Sequence, residues 1–379
     1  MSVSAPRYGD NVSAAPTFLL SGDPGSVRGS GVARAFSDGE AAAAALRDGG
    51  CAALVGALPF TPGDPVALWE PAELITDHDP IRPSWPQRRR LRVNAARPEP
   101  AEHQRRVAEL VSRIRAGEAG KVVLARALEM SLEEDVDPLA LAAAFAHGNA
   151  AHNAFAVALD AAGGSHAGQW LVGASPELLV RRRGPEVFCR PYAGTMARSD
   201  NPAVDKERAE ALRGSAKDLA EHAFVVDYLR ERLAPFCTEL DMPAEPVLLS
   251  TGELWHLATP IRARLKDPAT TSLDLALALS PTPALCGTPS DVAAAMIEQY
   301  ERDRGFYGGA VGWSNADGDG DWVVAIRCVL LDADRRRVTA WAGGGIVADS
   351  DPAAELAETT AKFGTALRAL GADPAVADR

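Results

Sequence analysis

Two short stretches place carboxylates where they could act together. Asp218 and Glu221 stand three residues apart, and Glu355, Glu358 and Lys362 fall at i, i+3 and i+7. On helices each set shares one face, since residues three and four apart are neighbours there. Two such faces turned to one point would offer hard oxygen donors to Mg²⁺, a cation that keeps open positions for a substrate carboxylate or phosphate. The same spacing also describes a solvated helix face. Asp317, Asp319 and Asp321 begin like a calcium loop, but the twelfth position is Cys328 and a strand follows, so a polar hairpin turn is expected. Gly343, Gly344 and Gly345 read as a turn from strand to helix, where backbone N–H groups can meet an anion. Neither G-x-G-x-x-G nor the P-loop pattern is present. His222 and His256 lack a partner at ligand spacing, so each reads as a hydrogen-bonded structural histidine or a catalytic one. The five Cys form no C-x-x-C, and their odd number argues against a disulfide framework.

The chain has 379 residues, enough for one large domain or two ordinary ones. It is 47% apolar and 24% charged, the profile of a globular protein. A net charge of −12 suits neither a phosphate backbone nor an anionic membrane. No signal peptide is visible at the start, and the apolar stretch 51–60 is too short to span a bilayer, so a cytoplasmic protein is expected. Arg outnumbers Lys 34 to 5, which makes each Lys worth examining.

Val107, Leu110, Val111 and Ile114 recur at helical spacing up to Gly117 and Gly120. A strand is expected at Lys121–Met130, a helix near 138–147, and strands at 154–160, 169–173 and 177–182. Residues 203–233 read as two helices divided at Gly214, with Ser215 capping the second. Strands at 322–332 and 337–342 precede a helix over Pro352–Leu370, with Asp351 as its cap. The Pro-rich stretch 77–101, with Arg88, Arg89 and Arg90, reads as a long connection. Hairpin-like pairs without regular β-α-β alternation point to an α+β fold.

Nine segments occur in order: KVVLAR (121–126), GASPELL (173–179), PYAGT (191–195), KDLAEH (217–222), LWHLATP (254–260), PTPALCGTP (281–289), DRGFYGGAVGW (303–313), DWVVAIRC (321–328) and GGGIVADSDPAAELAETTAK (343–362). Together they resemble the chorismate-utilising enzymes, which include isochorismate, salicylate, anthranilate and aminodeoxychorismate synthases. The resemblance covers about 101–367; residues 1–100 are similar to the variable N-terminal part of the same fold. It implies a single chorismate-binding α+β domain over 1–379, a large antiparallel/mixed β-sheet core flanked by helices, as in the anthranilate/isochorismate synthase fold. Within the family the chain resembles stand-alone isochorismate synthases of siderophore or menaquinone type. Lys121 heads KVVLAR as in members that use water as nucleophile, and Ala284 stands where similar salicylate synthases carry Thr. Three positions depart from the pattern: Ser280 replaces His, Gly344 replaces the Ala of Gly-Ala-Gly, and Tyr192 replaces the Leu of PLAG.

The resemblance implies an isomerase that adds water to chorismate at C2 while the C4 hydroxyl leaves. It assigns Lys121 as the base and Glu177 as the acid. A Lys can be that base at neutral pH only where its surroundings favour the neutral amine, and the acid needs a raised pKa. Mg²⁺ would be held directly by Glu221 and Glu358, with Asp218 and Glu355 as outer or water-mediated partners. Arg327 and Tyr307 would hold the enolpyruvyl carboxylate, and Gly194, Thr195, Gly343, Gly345 and Lys362 would add anion contacts. His256 would hydrogen-bond near the leaving hydroxyl, with Ala284 beside the substrate. The alternatives are a salicylate synthase, which eliminates pyruvate from isochorismate, and a non-catalytic chorismate-binding protein of the same fold. An aminating enzyme with a glutaminase subunit is disfavoured by Lys121. A monomer is expected, with no nucleic-acid or membrane partner.

Overall fold

The computed structural model describes residues 15–250 and 254–378; the reading of the extreme N-terminus lies outside the described residues. Two large sheets dominate, one of ten strands and one of nine, with a small third sheet of three. Lys121–Leu132 is central to the ten-stranded sheet, pairing antiparallel with Arg337–Ile346 on one side and with Gly287–Thr288 and Leu91–Arg97 on the other. It carries Val122, Val123, Leu124 and Ala125 in unbroken succession and all four are buried, as expected of a strand covered on both faces. Helix Pro100–Arg115 lays Val107, Leu110, Val111 and Ile114 on the core, as their spacing predicts. Pro352–Ala369 begins at Asp351, whose side chain accepts from the N–H groups of Ala353 and Ala354, and packs against Arg337–Ile346. Pro202–Gly214 and Ala216–Leu233 are separate helices, and the Ser215 hydroxyl accepts from Asp218 N–H.

Two of the chain's passages between the large sheets lie side by side. Trp170–Gly173 belongs to the ten-stranded sheet and Leu178–Arg183 to the nine-stranded one. Gly320–Val324 and Cys328–Leu331 make the same crossing in the opposite sense. The crossings are tied by Ala174 N–H to the Arg327 carbonyl at 3.1 Å and Val324 N–H to the Glu177 carbonyl at 3.0 Å. Glu177 and Arg327 are thereby set at one junction.

Several expectations are corrected. The strand read over 322–332 is interrupted at 325–327, where Arg327 adopts φ 51°, a left-handed conformation that ends the ladder and re-aims its side chain. Gly343–Gly345 is no turn: it continues Arg337–Ile346 and pairs with Val123–Ala125, because the ladder with the long central strand holds it extended. The stretch 77–101 contains the strand Leu91–Arg97, stabilised by pairing with the central strand that sequence periodicity does not reveal. The acidic loop is the expected turn between Ala310–Asn315 and Gly320–Val324.

Candidate active site

A cleft opens at the double crossing, walled by Gly343 and Gly345, by Tyr192–Thr195, and by side chains from the two helices that carry the acidic sets. Lys121 opens the central strand and is wholly buried. Its Nζ lies 2.9 Å from Glu221 Oε1, though the two are not aligned as a hydrogen bond. Gly345 makes this approach possible, since a Cβ there would stand 2.3 Å from Glu221 Oε1 and 2.7 Å from Lys121 Cε. The glycine is required for space, at an ordinary extended φ, and not for turn geometry.

Glu177 is 3% exposed and accepts the Tyr192 backbone N–H at 3.4 Å. Burial raises its pKa to about 7, against that hydrogen bond and the charges of Lys121, Arg327 and Lys362. His256 faces the same space, its Nδ1 3.3 Å from Thr195 Oγ1. Burial, with Arg327 and Lys362 adding to it, holds its pKa well below the ordinary value, so the ring is neutral near pH 7. His222 is the structural histidine, its two ring nitrogens 3.2 Å from the Ala193 carbonyl and 2.7 Å from Thr259 Oγ1.

Other groups of the same lining suit anions. Arg327 reaches in from its crossing, and Lys362 Nζ donates to the Gly343 carbonyl at 2.8 Å and to Glu358 at 2.5 Å. Tyr307 stacks on Trp341 with ring centroids 5.7 Å apart. Burial raises the Tyr307 pKa, leaving a neutral phenol beside the cleft. Gly194, at φ 79°, passes so near the acidic helix that a Cβ would stand 3.0 Å from Asp218 Cβ. Thr195 and Ala284 complete this set of lining residues.

A chorismate binding enzyme family model matches residues 67–371. The chain belongs to the chorismate-binding enzyme family. It is 45% identical to a candidate isochorismate synthase MenF of Mycobacterium tuberculosis, over 94% of this chain and 97% of that one. It is 44% identical to the isochorismate synthase DhbC of Bacillus subtilis, over 73% of this chain and 69% of the relative. The crystal structure of a candidate 2,3-dihydroxybenzoate-specific isochorismate synthase, DhbC from Bacillus anthracis, superposes with a TM-score of 0.87 at 35% identity, covering 94% and 96% of the two chains. The family match begins inside the segment that the sequence motifs left blank, in keeping with strands before residue 100 that pair into both large sheets.

Family membership directs attention to the carboxylates. Glu221 and Glu358 line the cleft, whereas Asp218 and Glu355 stand outside its lining, as does Lys121. Among the described residues no group of three His, Cys, Asp or Glu side chains stands ready to hold a metal ion. Instead three of the chain's five lysines each face one carboxylate: Lys121 with Glu221, Lys362 with Glu358, and Lys217 with Glu355 at 3.0 Å. Burial would raise Glu221, but Lys121, with Lys362 and Lys217, outweighs it and leaves the carboxylate below its ordinary pKa. Burial raises Asp218 against its Ser215 hydrogen bond, and the charges of Glu221 and Glu358 add to the rise. Glu355 is raised by burial and by Glu358, and its Oε2 is buried without a hydrogen-bond partner. Mutually repelling oxygen donors with one buried orphan oxygen fit a hard divalent cation.

Sequence reasoning gives no role to Lys217, Val123, Leu285 and Ile326, although they lie inside the nine segments, and Trp341 falls outside them; all but Lys217 line the cleft. Period two was the available signal for Trp341, because it shares a strand face with Gly343 and Gly345. A larger cavity of about 740 Å³ lies elsewhere between the sheets; it shares Pro176 with the cleft but contains neither Lys121, Glu177 nor the acidic helices.

Proposed function

We propose that the protein is an isochorismate synthase, converting chorismate to isochorismate by adding water at C2 as the C4 hydroxyl leaves. The observation that carries this reading is a buried acid, Glu177, lining the cleft, with a buried lysine, Lys121, paired to the lining residue Glu221 just behind the wall. Glu177, with its pKa near 7, retains a proton to give at neutral pH. Lys121 lies behind Glu221 and Gly345; as the base it must first give up the ammonium proton that pairs it with Glu221, and the neutral amine then takes the proton of the attacking water. Neutral His256, beside Thr195, hydrogen-bonds the departing hydroxyl and leaves the proton transfer to Glu177.

Arg327 binds the enolpyruvyl carboxylate through its planar fork, with Tyr307 donating alongside. Lys362 and the backbone at Gly194 and Gly343–Gly345 bound the rest of the anion site. Glu221 and Glu358 would hold Mg²⁺, with Asp218 and Glu355 behind them. When bound, the cation supplies Lewis-acid polarisation and an anchor for the ring carboxylate. Ala284 leaves the cleft without the hydroxyl of a Thr, which supports release of isochorismate over pyruvate elimination. The whole described chain acts as one domain around this site, as a monomer.

The test is chromatography after incubating the protein with chorismate and Mg²⁺. Isochorismate with little pyruvate is expected. Stoichiometric salicylate and pyruvate would make the protein a salicylate synthase, and unchanged chorismate a binding protein.

A further inference from the structure

Tyr192 departs from the leucine of related PLAG segments, and its surroundings give the larger ring a task. It lines the cleft between the acid and His256. Its backbone N–H holds Glu177 Oε1 at 3.4 Å, while its ring meets His256 edge-on with centroids 5.3 Å apart. The Arg190 guanidinium stands 5.8 Å from the ring centroid. The ring is therefore held between an imidazole and a cation, in the cleft that Glu177 also lines and on the residue whose backbone N–H meets that carboxyl.

Glu177 has little else to keep it protonated. The groups that face it are Lys121 from the central strand, Arg327 from the second crossing, Lys362 from the last helix and the Tyr192 N–H. All four favour the carboxylate, so exclusion of water alone favours the acid. Side chains that exclude water there consequently decide whether the enzyme holds a proton to donate.

We propose that the Tyr192 ring is a positioning residue that shuts water away from Glu177 and so sets the pH range over which the enzyme can donate its proton. This rests on the isochorismate synthase reading and on Glu177 as its acid. The ring meets His256 and Arg190, and the phenol oxygen also faces Arg190, so the task is assigned to the ring and Tyr192→Phe separates it from the hydroxyl.

The experiment is the pH profile of kcat/KM with chorismate and Mg²⁺ for the wild type and for Tyr192→Ala, Tyr192→Leu and Tyr192→Phe, with circular dichroism to confirm folding. The alkaline limb should move down by about one pH unit in Tyr192→Ala, as expected when water reaches a carboxyl ringed by cations. Tyr192→Leu should fall between, and provides the measurement if the alanine variant does not fold. Tyr192→Phe should keep the limb where the wild type has it. An unmoved limb in the Ala or Leu variant overturns the proposal, and so does a Phe variant shifted as far as Ala. Glu177→Gln separates the two levels of the reading. If it keeps wild-type kcat, Glu177 is not the acid and the underlying mechanism fails. If it is inactive while the Tyr192 variants keep the wild-type limb, only the role of the ring fails.

Discussion

At Glu177 the burial that raises the pKa also carries a cost in stability. Its pKa of about 7 lies above the 4.5 of an ordinary Glu, so the folded protein holds a proton that the unfolded chain has lost between these values. Stability from this group is therefore full below about pH 4.5 and is lost as pH rises through about 7, by about 3 kcal/mol at most. Glu177→Gln removes the titration, so its melting temperature should gain on the wild type between pH 5 and pH 8; a constant difference would place Glu177 in contact with water. In catalysis, Lys121→Ala and Glu177→Gln should each lose ~10²–10⁴-fold in kcat, the usual contribution of an acid–base group. Arg327→Ala should instead act mainly on KM, through loss of a charge-assisted contact. Steady-state kinetics on the three variants checks both statements, and a Lys121→Ala enzyme with wild-type kcat would remove the proposed base. These residues were legible as types within motifs. The i,i+4 pair of Glu358 with Lys362 was legible too, but the other two lysine pairings were not, because Lys217 and Glu355, like Lys121 and Glu221, are neighbours only once distant elements meet.

The helices and hairpin-like strands follow local signals, and there sequence and structure agree closely. Val107, Leu110, Val111 and Ile114 mark one helix face, while Ser215 and Asp351 cap the two acidic helices. Where long-range pairing decides, local reading fails. Three successive glycines suggest a turn, yet ten consecutive pairings from Arg337 to Ile346 keep them in a strand. That strand predicts the behaviour of Gly345→Ala. An added methyl would collide with Glu221 Oε1 and Lys121 Cε together, so their approach has to open for it to fit. Activity should fall at least tenfold, with 1–3 kcal/mol of stability lost to overpacking. Kinetics beside a denaturant titration measures both, and a fully active variant would show that the Lys121–Glu221 approach is not needed.

Across the whole molecule, function arises where two sheets trade strands. Neither crossing builds the site alone; their backbone ties place Glu177 and Arg327, the proposed acid and anion-binding arginine, together, and two helices from distant parts of the sequence bring Glu221 and Glu358 to the same cleft. A sequence shows each component but not their convergence, which rests on pairings such as Gly173 with Cys328. The converged carboxylates predict a metal requirement: EDTA should abolish turnover and added Mg²⁺ restore it, whereas full activity in metal-free buffer would contradict the roles of Glu221 and Glu358. The central claim, that water enters at C2 while the C4 hydroxyl departs, is tested most directly by running the Mg²⁺-supplied reaction in ¹⁸O-water and weighing the product. Isochorismate carrying one ¹⁸O atom, on the C2 hydroxyl, is the predicted result. Unlabelled isochorismate, which would mean that the original hydroxyl migrates, would contradict it.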